Sequence, residues 1–245
     1  MQQIHALRNA AHAHKQLEHQ IASLPKMGGG NNGGIKNMME QQKAAEFLMD
    51  SSVAMHESAM PLMHRIVPDD VLIWNHYPEI DVVNGVAGSR FFYHCHPPED
   101  RDGEEHGHFH FFIDKKSMDS DFNPLIAAPE ITGKRAEVVH IAALSMDYNG
   151  LPIKWFTTNR WVTDESLYPA ENIISKMALF DLRGLNGDPL VNIWLTAMLR
   201  LSQNIIANLL RERDEILMQK DPSGEDRNVE ILSHARVDLS SLLDG

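Results

Sequence analysis

"HCHPPEDRDGEEHGHFH", residues 94–110, holds five of the chain's fourteen histidines, two residues apart at either end. Its reading decides the fold, because that spacing has a simple meaning on strands. Successive side chains on a strand point to opposite faces. His94 and His96 therefore share a face, with Tyr93 and Cys95 opposite. His106, His108 and His110 likewise share one, with Gly107, Phe109 and Phe111 opposite. An antiparallel hairpin around residues 97–105 can pair His94 with His110 and His96 with His108. Shifted by two, it pairs His94 with His108 and His96 with His106. Either register gathers four imidazoles, whereas a one-residue slip splits them between faces. Cross-strand Cβ atoms lie about 5 Å apart, which suits ring nitrogens converging at about 2.0–2.1 Å on one ion.

The expected ligands are His94, His96, His108 and His110, with His106 as an alternative. One His-x-His pair on an exposed strand is ordinary polar alternation, but two pairs joined by one loop put four neutral donors in one patch. The loop carries Glu99, Asp100, Asp102, Glu104 and Glu105. Those charges attract cations, and Glu104 or Glu105 can serve as general base. Imidazole suits Zn, Fe, Cu and Ni. Zn and Fe lead the expectation, iron if a loop carboxylate completes a two-His-one-carboxylate set. The lone Cys95 argues against a thiolate zinc site. No C-x-x-C-H is present, so haem rests only on one of these histidines acting as axial ligand.

Other polar groups have two readings each. His140, in the apolar EVVHIAALSM run, is a core histidine with one hydrogen bond or a further ligand. Arg160, in TTNRW, orients an anionic small molecule through its guanidinium fork or pairs with a surface acid. Trp74, His76 and Tyr77 stack on a ligand or belong to the core. His5, His12 and His19 recur every seven residues, a rise of about 10.5 Å that is too long to chelate one ion. They read as a solvated or interface stripe.

The rest of the chain frames this hairpin. Its 245 residues, 43% hydrophobic, can bury one large core or two modest ones. With 22 basic and 34 acidic residues the formal net charge is −12, which repels nucleic acid. No leader pattern and no long apolar span is visible, so the expectation is a cytoplasmic protein with no membrane partner; homo-oligomerisation stays open. Residues 1–24 read as a helical arm, 25–35 as a Gly/Asn-rich linker (PKMGGGNNGG), 36–220 as the metal-binding domain and 221–245 as a polar tail. Within the domain, a helix over 36–60 stops at Pro61. Strand-like runs follow in VLIWNHYP, RFFYHCH, HGHFHFFI and EVVHIAALSMDYNGLPIKWFTT, the last folded at Asn149-Gly150 by a turn with positive φ. Helices return after Pro169 and from Asp188-Pro189 to about 219. This order predicts an α+β fold, a central antiparallel sheet of four to five strands flanked by N-terminal and C-terminal helices.

Two resemblances follow from these motifs. Gly88, His94, Cys95, His96, Asp100 and Gly107 look like the first metal motif of the cupins, with Asp in place of Glu and no second motif after residue 130. More extensively, WNHYP, YHCHP, EEHGHFHFF, HIAALSMDYNGLPIKWFTTNRWVTDE and LVNIWLTAMLRL resemble a bacterial domain family of unknown function over roughly residues 65–215. That resemblance implies that the five histidines and the Thr157–Trp161 segment belong to the family's pattern, and it supplies no activity. The residues themselves point to a histidine-ligated transition-metal protein: a metalloenzyme acting on a small anionic molecule by hydrolytic or oxygen chemistry, or a non-enzymatic metal- or haem-binding or sensing protein. A purely structural metal clip is a third reading.

Overall fold

The computed structural model describes residues 33–100, 103–130 and 136–244. The expected arm over 1–24 and most of the Gly/Asn-rich linker lie outside them, as do His5, His12 and His19. The strand-like runs pair as an antiparallel meander. β1 (Tyr77–Asn84), β2 (Ser89–His94), β3 (Glu105–Asp114), β4 (Val138–Asp147), β5 (Pro152–Thr158) and β6 (Ile231–Arg236) lie side by side in chain order. The architecture is α+β, with six strands rather than four or five.

The sixth strand, ILSHAR, falls in the stretch expected as a polar tail. It is an edge strand: Leu232 and Ser233 are buried while His234 and Arg236 are exposed, so its apolar alternation is too short to announce itself. Conversely, VLIWNH is not a strand. Trp74 sits at φ 67, which breaks the extended chain. Its N–H donates to the Cys95 carbonyl at 3.0 Å, tying this loop to the end of β2. The open meander also departs from a closed barrel, so the cupin-like spacing does not extend to the fold.

The helices among the described residues are α1 (Gly33–Glu57), α2 (Leu62–Ile66), α3 (Arg160–Thr163), α4 (Ala170–Met177), α5 (Pro189–Leu201), α6 (Gln203–Lys220) and α7 (Leu239–Asp244). Asp188 caps α5 as its sequence predicts, its carboxylate accepting from the N–H groups of Leu190 and Val191. The single long helix expected from residue 188 is two helices, divided at Ser202. At the Asn149-Gly150 turn only Gly150 takes a positive φ, 78°. Asp147 does the rest, accepting from the N–H groups of Asn149 and Leu151. No helix among the described residues is long and apolar enough to cross a membrane.

Phe91, Tyr93, Phe109, Phe111, Leu144 and Trp155 all point to one face of the sheet, where they join α1, α5 and α6 in the main core. The alternation that buries Phe109 and Phe111 turns His108 and His110 to the other face. The long helices thus lie opposite the histidines. Phe111 is fully buried, so Phe111→Ala is expected to lower stability by about 3–5 kcal/mol in urea denaturation. A loss under about 1 kcal/mol, the level of a surface change, would contradict this placement of the core.

Candidate metal centre

β2 and β3 pair in the register that sets His94 opposite His108. Their Nε2 atoms stand 2.7 Å apart. His110 follows on the same face, and one ligand atom from each of His94, His108 and His110 lies within 4.8 Å of the others. This buried triad has the donors and spacing to hold a transition metal ion. His96, just past the end of β2, stands at its rim, its ring centroid 5.0 Å from those of His94 and His108. The Trp74 ring covers it at 4.3 Å.

Two β-bulges adjust strict alternation. Opposite β4, β3 slips one residue between Glu105 and Gly107, so His106 has no partner there. The slip turns Glu105 onto the histidine face and sends His106 to the other. Glu105 is buried; one carboxylate oxygen accepts from His108 Nδ1 at 2.7 Å and the other from the Ser145 hydroxyl at 2.6 Å. His106 Nδ1 instead meets the Tyr93 phenol at 2.7 Å, beside Cys95. Gly107 explains why: a Cβ there would strike the His94 carbonyl and the Tyr93 ring. The second bulge, between Phe111 and Phe112 against β4, brings His140 to the histidine face.

These neighbours fix tautomers. With its Nδ1 proton directed at the Glu105 carboxylate, His108 presents a bare Nε2 to the cluster. His110 Nδ1 bonds His140 Nε2 at 3.0 Å, and His140 Nδ1 bonds the Thr158 hydroxyl at 3.3 Å. His110 Nε2 is buried with no hydrogen-bond partner among the described residues. A metal-ligating imidazole is ordinarily held by such a bond at its other nitrogen. Burial, then the neighbouring histidines, push His94 down to about 2. Burial also holds His110 well below its ordinary value, and burial followed by Arg213 pushes His140 down to about 3. All three are neutral donors at pH 7.

Elsewhere the expected residues are dispersed. Glu104 is exposed in the turn before β3. Arg160 is buried and commits its guanidinium to Asp164, at 3.2 Å, and to Glu225. Sequence reasoning missed Ser145 and Glu230, and it noted Thr158 only as part of the TTNRW segment, not as a partner of His140. Glu230 is exposed; partial desolvation raises its carboxyl, His108 draws it back, and the negative charges of Glu105 and Asp100 raise it again, which places it toward the cluster's rim. Only Gly107 carried a local signal, since glycine inside a strand marks a bulge or close backbone approach.

His94 and His110 also line a cleft of about 330 Å³, together with Phe92, Phe112, Val162 and Thr163. A larger hollow of about 420 Å³, between β1 and the start of α5, contains no histidine.

A family model described as a domain of unknown function (DUF6969) matches residues 42–237, which takes in all six strands and most of α1. No curated protein and no solved structure matches the chain.

The buried neutral histidines give stability a pH dependence. Unfolded imidazoles take up protons below about pH 6.5, while His94, His110 and His140 stay neutral in the fold until far lower pH. Unfolding therefore binds protons in this window, and stability falls with falling pH. Glu165 acts in the opposite sense, because burial raises it to about 7. Three histidines against one carboxyl leave a net loss on the order of 2–3 kcal/mol per pH unit near pH 5 for the metal-free protein. Thermal unfolding should show Tm level from pH 8 to 7 and falling steeply toward pH 5; a flat profile to pH 5 would contradict buried, neutral His94, His110 and His140.

Proposed function

We propose a function from the site's own chemistry, because the chain belongs to this family of unknown function and the family supplies no activity. The reading is a metalloenzyme in which His94, His108 and His110 hold one transition metal ion. The observation that carries it is the buried, unpartnered Nε2 of His110, set beside two imidazoles that converge on the same space. Three neutral imidazoles with a further position open are the donor set of catalytic rather than structural zinc. Fe(II), Cu and Ni accept the same donors. Haem fits less well, because it takes at most two axial ligands and three imidazoles converge here.

A bound ion of this kind supplies an acidified water at neutral pH or polarises a carbonyl, which is the chemistry of hydrolysis; a redox-active iron would open oxygen chemistry. The protein's own part is positional. Glu105, with both oxygens engaged, orients His108 rather than acting as a free base, and Ser145 holds Glu105. His140 and Thr158 do the same for His110. The cleft beside His94 and His110 supports an enzyme, since it offers room for a small molecule at the cluster.

One observation favours a second reading. His96 stands close enough to the triad that a small movement would add a fourth imidazole and close the site, as suits sequestration or sensing.

Metal analysis by ICP-MS on untagged protein separates these. The wild type should carry near-stoichiometric metal, and the His94→Ala/His108→Ala double variant none. His96→Ala should retain its metal if the site is catalytic and lose it if the site is a closed four-histidine one. Glu105→Gln should weaken metal affinity by about 10–100-fold while leaving the fold intact. No metal in the wild type, even after supplementation, would overturn the reading.

A further inference from the structure

The cleft at the triad is lined by one cation and two acids, each of them paired. Arg90, its cation, pairs with Asp114 and stands 4.0 Å from Asp81. Asp164, its other acid, is held by Arg160 at 3.2 Å. Among the described residues, no guanidinium or ammonium of the cleft is left to receive a carboxylate or phosphate. Arg160, the group expected to bind an anion, is 2% exposed and turned to two acids.

What the cleft offers instead is ring surface. Phe92 and Phe112 stack at 5.4 Å with an interplanar angle of 28°. His76, from the loop before β1, lies on Phe92 at 3.9 Å and 5°. Val138 and Val162 contribute further apolar lining. The volume, about 330 Å³, is roughly twice the apolar cavity of about 150 Å³ that holds one benzene. Aromatic walls favour an aromatic guest through stacked and edge contacts of about 0.5–1.5 kcal/mol each.

We infer that the substrate of this site is a small uncharged aromatic molecule of one or two rings, seated against Phe92 and Phe112 with its polar substituent toward His94 and His110. The inference rests on the metalloenzyme reading and revises its substrate from an anion to a neutral ring. Val162 on α3 is the residue whose enlargement closes the slot without touching the triad or the groups that orient it.

Ligand-observed saturation-transfer NMR on the zinc-loaded full chain tests this with three probes: phenol, benzoate and inorganic phosphate. Phenol should bind, and benzoate and phosphate should bind more weakly. Val162→Trp should weaken phenol binding by about tenfold or more, the scale of losing one or two ring contacts, with zinc content unchanged. Val138→Phe provides an independent obstruction should the first variant fold poorly. Tighter binding of benzoate or phosphate than phenol, or phenol binding indifferent to a folded obstructing variant, would overturn the inference. The metal reading fails separately: if the wild type holds no zinc yet binds phenol in a Val162-dependent way, the metal assignment falls and the aromatic site stands.

Discussion

Two imidazole nitrogens held 2.7 Å apart in a protein interior need a proton or a cation between them. Glu105 settles part of that requirement by drawing the His108 proton to Nδ1. His94 Nε2 must then carry a proton or share a cation with His108. His110 sharpens the demand, because its Nε2 is buried beside them with no partner among the described residues. A buried unpaired polar atom costs about 1–3 kcal/mol, and buried charge on crowded imidazoles costs more. A transition metal ion would relieve all three nitrogens together. The sheet, the bulges and the supporting hydrogen bonds are organised around that requirement.

The fold meets it by separating two jobs onto two faces. Aromatic and aliphatic residues of β2 to β5 anchor the long helices on one side. The histidines alternate with them and face away from those helices, beneath the loop that carries Trp74 and His76. The triad therefore sits on paired strands of a meander rather than on loops, and the second nitrogens of His108 and His110 are fixed by Glu105 of β3 and His140 of β4. Such placement holds ligands within the narrow geometry a metal site needs.

Much of this was legible in the sequence because it is periodic and local. The alternation of histidine with phenylalanine indicated the strand faces and left two even registers, of which the structure takes the one that pairs His94 with His108. The Asp188-Pro189 cap and the turn around Gly150 were readable for the same reason. What escaped depends on distant partners. The bulge that exchanges His106 for Glu105 arises because Gly107 meets the backbone and ring of another strand. His140 reaches His110 only through a second bulge. Strand β6 has too few buried residues to differ from a polar tail, and VLIWNH has strand-like composition although Trp74 turns it into a covering loop. Arg160 reads as an anion site until the acids that pair with it come into view.

The central claim is that one ion occupies the space shared by His94, His108 and His110. Diffraction data collected at the absorption edge of the metal present in purified protein test it most directly. The account predicts a single anomalous peak at about 2.0–2.1 Å from the three Nε2 atoms, with its remaining position facing the cleft of Phe92 and Phe112. A peak at another histidine such as His234, or none in protein saturated with metal, would contradict it.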